Sequence, residues 1–184
     1  MSNDKKGATS TISLERAHLK ELFNSGKLAD MTICTTDQEF KVHKVVLCMR
    51  SKYFFRMFQG EWAETLEHAI HLTDDPRAIE AMVRSLYGLD YETAGIGISP
   101  LLFNVMTYQI GDKYVVPHLK LQARDKFEAL LARDWDEEQF AIAIAEAYKT
   151  TPQEDRGLRD LIVEVSNEHI DHLRQKESFR KVPL

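Results

Sequence analysis

The stretch that decides the fold is residues 29–58, which read ADMTICTTDQEFKVHKVVLCMRSKYFFRMF. Apolar and polar residues alternate over 31–33 and again over 40–42. Successive side chains of a strand point to opposite faces, so each run predicts a short strand with one apolar face. The polar residues 37–38 lie between the two runs, and the sequence therefore predicts a β-hairpin.

Two short helices are predicted after the hairpin, over Lys44–Arg50 and Lys52–Gln59. Ser51 precedes the second helix and is a residue type that caps helix N-termini. The apolar side chains of the helices are expected to pack on the hairpin, and each contributes about 1.5–3 kcal/mol when fully buried. These side chains belong to Leu47, Tyr53, Phe54, Met57 and Phe58.

The segment before the hairpin divides into two parts. Residues 1–11 are small and polar without an apolar period, and we expect them to be disordered. From Leu14 to Phe23 apolar residues recur with helical spacing. Gly26 is suited to the left-handed position that follows a helix, so the helix is expected to end there.

Downstream of the hairpin the pattern becomes helical. A brief strand is predicted over Ala69–Leu72. Three helices are then expected to start at prolines, which favour the first helical position: Pro76, Pro100 and Pro117. Short early strands followed by a run of helices indicate an α+β fold.

Two further helices are predicted to close the chain. The carboxylates of Asp134 and Glu137 are spaced as a capping box for the first. Thr151–Glu154 has the composition of a capping box for the second, with a proline at the first helical position.

Composition excludes several classes of protein. The 184 residues are 43% apolar and 29% charged, which is typical of a globular domain, and the net charge of −5 argues against a general nucleic-acid binder. Neither a membrane-spanning apolar stretch nor a signal peptide is recognised in the sequence. Cys34 and Cys48 are the only cysteines, which favours a reducing compartment, the cytoplasm or the nucleus.

Catalytic and metal-binding motifs are not recognised. The sequence has no nucleophile elbow, HExxH or P-loop. His169 and His172 are helical neighbours that could bind a metal weakly, but surface histidines are the simpler interpretation. We therefore expect no enzyme activity, no metal and no cofactor.

The motifs around the hairpin resemble the BTB (or POZ) domain family. The pattern D-[apolar]-T-[apolar] is present at Asp30–Ile33, F-x-V-H-[KR]-x-x-L at Phe40–Leu47, and S-x-[YF]-F-x-x-[ML]-F at Ser51–Phe58. Ile70–Asp75 resembles the third strand of the family, and Gly111–Tyr114 resembles its A-D-K-Y segment, with glycine in place of the usual alanine.

The resemblance implies a domain organisation and a fold. It places a BTB/POZ domain with its N-terminal helix at residues 12–133, after the tail 1–11, and a C-terminal helical extension at 134–184. The implied fold is a small β-sheet flanked by α-helices, with the extension adding a helical pair. The extension also resembles the tail of stand-alone BTB proteins of filamentous fungi.

Asp30 and Lys44 are ionisable residues in a compact apolar neighbourhood. The resemblance implies that the matching acid and base lie near each other at the groove of a dimer. A partly buried pair is costly unless it is well hydrogen-bonded. Two interpretations therefore remain open, a charged recognition groove and a pair that only fixes the fold. His43, between them in sequence, is interpreted as a structural histidine.

The N-terminal helix is a candidate dimer interface. Some BTB domains carry a helix before the first strand and dimerise through it. Leu19, Leu22 and Phe23 occupy that place and are expected to form an apolar patch. The alternative is that the helix packs only on its own domain.

Trp62 and Glu64 are candidate cullin contacts. In the BTB adaptors of cullin-type ubiquitin ligases, an [apolar]-x-E motif lies at this place and its apolar residue docks into the cullin. Trp62 in a loop also has the features of a binding hot spot. The alternative is that Trp62 folds back on its own domain.

We therefore predict a protein–protein interaction module that acts as a non-catalytic adaptor or scaffold and self-associates as a homodimer. The second hypothesis is a substrate adaptor of a cullin-type ubiquitin ligase. Neither hypothesis involves a membrane or direct binding of nucleic acid.

Overall fold

A computed structural model describes residues 4–60, 68–93, 95, 97–133 and 135–169, with side chains from residue 14 onward. The chain divides into two compact units. Unit 1 comprises Met1–Glu92 with Tyr114–Pro117, and unit 2 comprises Thr93–Lys113 with His118–Leu184.

The sheet of unit 1 has three strands in the order β2-β1-β3. Strands β1 (Met31–Cys34) and β2 (Glu39–Val42) are antiparallel, with Met31 opposite Val42, which confirms the predicted hairpin. Strand β3 (Ala69–His71) pairs with β1 in parallel. Met31, Ile33 and Val42 are buried, as the alternation predicts.

Helix α1 (Asp4–Ser25) precedes the sheet. It begins inside the segment 1–11 for which composition predicted disorder, because an existing helix extends by one hydrogen bond for each added residue, even without an apolar face. It ends as predicted at Gly26, whose φ is +60° and whose amide donates to the carbonyl of Leu22 at 2.9 Å. A residue with a Cβ would be strained there.

Helices α2 (Lys44–Arg50) and α3 (Lys52–Gln59) follow the hairpin with the predicted bounds. Ser51 caps α3, since its side chain accepts from the amide of Phe54 at 3.2 Å. Leu47 and Phe54 are fully buried. Tyr53 was also expected in the core, but it is exposed, and its ring lies nearly perpendicular to those of Phe54 and Tyr114.

Helix α4 (Pro76–Leu86) completes the helices of unit 1 in the described part of the chain. Asp75 caps it by accepting from the amide of Arg77 at 3.0 Å, as the Asp75-Pro76 pair predicts. Arg77 also donates to this carboxylate, and this side-chain hydrogen bond is the main reason why the pKa of Asp75 lies below its usual range. The helix buries the apolar face that its spacing predicts, including Ile79, Met82 and Val83.

Four helices are described in unit 2: α5 (Pro100–Lys113), α6 (Pro117–Arg133), α7 (Glu137–Thr150) and α8 (Arg156–Glu168). One buried cluster joins them and includes Val105, Phe127, Phe140 and Leu158. Because α5 and α6 share this core with α7 and α8, the division between units does not coincide with the boundary predicted at 133/134.

The caps of the last two helices differ from the prediction. Asp136 caps α7 and Asp155 caps α8, each by accepting from a backbone amide two residues later. Thr151, predicted as an N-cap, instead ends α7 and donates its hydroxyl to the carbonyl of Ala147 at 2.6 Å. Asp134 lies outside the described residues. Several cap-forming residues stand close together here, and the local pattern alone does not choose between them.

Gly111 occupies the place where the resemblance predicts alanine. A Cβ at this position would lie 2.8 Å from the backbone nitrogen of Lys120. The close approach of α5 and α6 therefore explains the glycine.

Candidate protein-interaction surface

Helix α2 presents an exposed apolar face. Val46 and Leu47 are buried, whereas Val45 is 63% and Met49 is 78% exposed. Val45 and Met49 are four residues apart and thus lie on the same side of the helix. Leu28, which is 86% exposed, completes what we call the α2 surface: Leu28, Val45 and Met49.

The segment that carries Leu28 is fixed against the start of α2 by two hydrogen bonds. The carbonyl of Lys27 lies 2.7 Å from Nε2 of His43, and the carboxylate of Asp30 lies 2.7 Å from the amide nitrogen of Lys44. Leu28 itself has a φ of +62°, an unfavourable conformation for a non-glycine residue. These contacts place the backbone on both sides of Leu28 against the start of α2.

The contact between Asp30 and Lys44 is a helix cap, not the partly buried ion pair expected from sequence. Asp30 is exposed and accepts from the backbone amide of Lys44. The Lys44 ammonium lies 5.7 Å from the ring centroid of Phe58. Among the described residues, the ion pairs within 4.0 Å do not include Asp30 with Lys44. The arrangement supplies the first turn of α2 with an acceptor from another segment.

His43 is buried, and both of its ring nitrogens have partners. The carbonyl of Lys27 is only an acceptor, so Nε2 carries a proton and donates to it. In the neutral ring Nδ1 then accepts from the Tyr87 hydroxyl at 2.6 Å, and that oxygen accepts from the backbone amide of His43 at 3.0 Å. Burial raises the pKa of Tyr87 to about 12, so this phenol stays protonated. His43 thus has the structural role expected from sequence.

Helix α1 is attached to its own unit. Leu19, Leu22 and Phe23 are half-buried, and the Phe23 ring lies 5.3 Å from that of Tyr87. Arg16 donates to the carbonyl of Gly88 at 3.0 Å. Leu14, in contrast, is exposed. The helix thus buries part of its apolar face within the chain and leaves part of it accessible.

Two segments that carried the family resemblance meet in unit 1. The hydroxyl of Ser51 donates to the carbonyl of Tyr114 at 2.6 Å, and the Tyr114 phenol donates to the carboxylate of Asp74. Burial is the main cause that raises the pKa of Tyr114 above its usual range, and the hydrogen bond to Asp74 is the second cause. Tyr114 thus joins the α2–α3 junction to the segment after β3.

The predicted cullin contacts Trp62 and Glu64 lie outside the described residues. Helix α3, which precedes them, exposes two aromatic side chains, Tyr53 at 36% and Phe55 at 47%. Aromatic residues are enriched at protein interfaces, which makes these two side chains of α3 further candidate contacts.

Other functional features are scarce in the described part of the chain. It contains no group of three or more histidine, cysteine or acidic residues placed to hold a metal ion. His172 lies outside the described residues, and His169 stacks on Trp135. Cys34 and Cys48 are half-buried free thiols. In the described ranges no helix has the length and apolar content to cross a membrane.

Sequence reasoning missed the α2 surface. Residues 45–49 read VVLCM, a continuous apolar run in which outward and inward positions look alike. If the run is treated as a helix, Val45 and Met49 are four residues apart and lie on the side opposite Leu47. This spacing is the signal that separates the exposed positions from the buried one.

Comparison with known proteins agrees with this fold. The BTB/POZ domain profile matches residues 19–129, more than half of the chain. Germ cell-less protein-like 1 of Homo sapiens is 37% identical over 71 residues, which cover 36% of this chain and 14% of that protein. Kelch repeat and BTB domain-containing protein 1 of Cowpox virus is 23% identical over 103 residues, which cover 52% of this chain and 18% of that protein.

The Kelch repeat and BTB domain-containing protein A55 of Vaccinia virus is 25% identical over 89 residues, which cover 48% of this chain and 16% of that protein. The chain thus spans less than a fifth of the length of these three relatives. The extent of the profile match shows that the chain belongs to the BTB/POZ domain family, whose members are generally non-catalytic modules of protein–protein interaction.

Proposed function

We propose that the chain is a self-associating adaptor that forms a homodimer through α1 and the α2 surface. The observation that carries the proposal is the exposure of three large apolar side chains, Val45 and Met49 on α2 and Leu28 on the segment bonded to its start. Contiguous exposed apolar residues on a soluble domain mark interaction sites.

Helix α1 and the α2 surface are joined through a shared neighbour. Tyr87 contacts Phe23 of α1 and also His43, the residue before α2. A standard interface buries about 800 Å² on each partner, more than one short helix supplies. The two elements together provide a broader apolar area than α1 alone.

Light scattering on a size-exclusion column tests the proposal. At tens of micromolar we expect about twice the chain mass of 21.2 kDa. Val45→Glu/Met49→Glu should give the monomer mass, because two charges at the centre of an apolar interface are left desolvated and unpaired. Leu121→Glu/Ile142→Glu is the matched control, since it places the same charges on exposed apolar positions of unit 2.

A wild-type monomer, or a dimer that survives the Val45/Met49 change with wild-type stability, would contradict the proposal. Leu22→Asp/Phe23→Asp is the less decisive variant, because Phe23 also packs on Tyr87 within the chain. The melting temperature of this variant must therefore show that it is folded before its mass is interpreted. A folded Leu22/Phe23 variant that remains dimeric would remove α1 from the interface.

A second candidate function is the substrate adaptor of a cullin-type ubiquitin ligase. It is favoured by the exposed aromatic side chains Tyr53 and Phe55 of α3, the helix that precedes the Trp62–Glu64 segment. A purified cullin N-terminal domain should then bind at tens of micromolar. Trp62→Ala and Phe55→Ala should each lower the affinity by about 2 kcal/mol or more with little change in melting temperature, and Glu64→Lys should weaken the same contact.

A further inference from the structure

Unit 2 contains a groove of about 330 Å³ between the C-terminal ends of α6 and α8. Its apolar lining includes Leu131, Leu161 and Val165. One wall is aromatic, because the ring of Trp135 stacks on that of His169 with centroids 3.9 Å apart. Trp135 also packs on Phe140 at 4.9 Å, so the wall is anchored to the core of the unit.

The lining also includes three exposed carboxylates: Glu128, Glu164 and Glu168. Glu164 and Glu168 are one helical turn apart on α8, a spacing at which like charges repel. In the described part of the chain, the ion pairs within 4.0 Å include none of the three. An apolar groove with this acidic lining suits an occupant that is both apolar and cationic.

The chain itself continues into such a sequence. His169 lines the groove, and the next residues, 170–184, read IDHLRQKESFRKVPL. Four basic residues against two acidic ones give this segment a charge of 4 − 2 = +2, whereas the whole chain carries −5. Apolar residues are interspersed with the basic ones, notably Leu173, Phe179 and Val182.

We propose that residues 170–184 bind in this groove within the same chain. Lysine and arginine side chains of the segment pair with Glu128, Glu164 and Glu168, and its apolar side chains contact Trp135 and the apolar lining. The inference is independent of the proposed dimerisation.

The covalent connection makes this occupant more favourable than a separate peptide. Fifteen extended residues span up to about 50 Å. The segment is therefore long enough to reach along the 330 Å³ groove from its attachment at His169. A short tether gives an effective concentration of about millimolar, so individually weak contacts suffice. A basic segment of a second molecule would have to compete at its own, lower concentration.

Carbodiimide cross-linking of the full chain tests the contact directly, because the reagent joins a carboxylate to a lysine amine in ion-pair contact. Lys120 with Asp112, 2.6 Å apart and with an exposed carboxylate, is the internal control. We expect additional links from Lys176 or Lys181 to Glu128, Glu164 or Glu168. In a mixture of ¹⁵N-labelled and unlabelled chains, purified after exchange, each link should join peptides of the same label. Links between labels would assign the groove to a second copy and overturn the proposal.

Limited trypsin digestion tests contacts made through arginine, which carbodiimide does not cross-link. At low ionic strength, Glu164→Gln/Glu168→Gln should speed cleavage at Arg174, Lys176, Arg180 and Lys181 by roughly three- to tenfold, as expected for the loss of two exposed ion pairs. Glu138→Gln/Glu154→Gln removes the same charge from exposed positions outside the groove and should leave the cleavage rate unchanged. Equal cleavage rates in the wild type and both variants would overturn the proposal.

Discussion

The ammonium nitrogen of Lys120 lies 2.5 Å from a carboxylate oxygen of Asp155, 35 residues later in the chain. The other oxygen of Asp155 accepts from the Tyr108 phenol at 2.6 Å and from the amide of Gly157 at 3.0 Å. Lys120 is also paired with Asp112 at 2.6 Å. Asp155 therefore caps α8 and joins it to α5 and α6, so one side chain fixes the start of the last described helix.

Because of Asp155, the stability of unit 2 should depend on pH in the acidic range. Burial alone would raise the pKa of Asp155, but hydrogen bonds from Lys120, Tyr108 and the Gly157 amide outweigh it and hold the pKa below its usual range. A carboxylate with a lowered pKa in the folded state contributes stability above its unfolded pKa of about 3.9, and this contribution is lost as pH falls through the folded value.

We expect the stability difference between wild type and Asp155→Asn to be largest above about pH 5 and to shrink steadily toward pH 2. Urea unfolding at a series of pH values measures it. Asp125→Asn, which removes an exposed carboxylate from α6, is compared to separate this effect from a general change of charge. A difference that stays constant from pH 6 to pH 2 would contradict the assignment.

Gly157→Ala should destabilise the protein, although alanine is the better helix former by about 1 kcal/mol. A Cβ at position 157 would collide with the buried phenol oxygen of Tyr108. Overpacking of this kind costs about 1–3 kcal/mol, which exceeds the gain in propensity. Thermal unfolding measures the sign of the change in stability.

The double variant Tyr108→Phe/Gly157→Ala identifies the cause of that cost. Removal of the phenol oxygen removes the collision, so the two changes together should cost less than the sum of the single changes by about 0.5 kcal/mol or more. A stabilising Gly157→Ala, or strict additivity, would show that the contact does not constrain position 157.

Sequence reasoning predicted the elements whose signals are local. The hairpin over 31–42 and the Ser51 and Asp75 caps depend on spacing within a few residues, and the structure contains them. The Asp30 cap was missed because its acceptor lies 14 residues before the amide that it satisfies. Asp155 was missed as a cap because Thr151, four residues earlier, also fits the local capping pattern. Its bond to Lys120 joins residues 35 positions apart, and tertiary contacts of this kind leave no periodic pattern.

Asp30 and Lys44 should be only weakly coupled. Asp30→Ala removes a helix cap and should cost about 1 kcal/mol, whereas Asp30→Asn should cost less because asparagine caps equally well. Lys44→Met keeps the backbone amide that donates to Asp30 and should cost less than about 1 kcal/mol. Thermal melts of the single and double variants give the coupling energy between the two residues. A coupling energy near 3 kcal/mol would instead indicate the buried ion pair.

Tyr87→Phe should destabilise unit 1 by about 1–3 kcal/mol, because it leaves a buried donor without an acceptor. The Tyr87 oxygen accepts from the amide of His43 at 3.0 Å and lies 2.6 Å from its Nδ1 atom, and both residues are buried. Phenylalanine keeps the ring that packs on Phe23, so lost packing does not explain the effect. Tyr148→Phe, the same change at a half-buried site on α7, is the control and should cost less than about 0.5 kcal/mol. If urea unfolding gives equal costs for the two variants, the His43–Tyr87 bonds do not contribute to the stability of the fold.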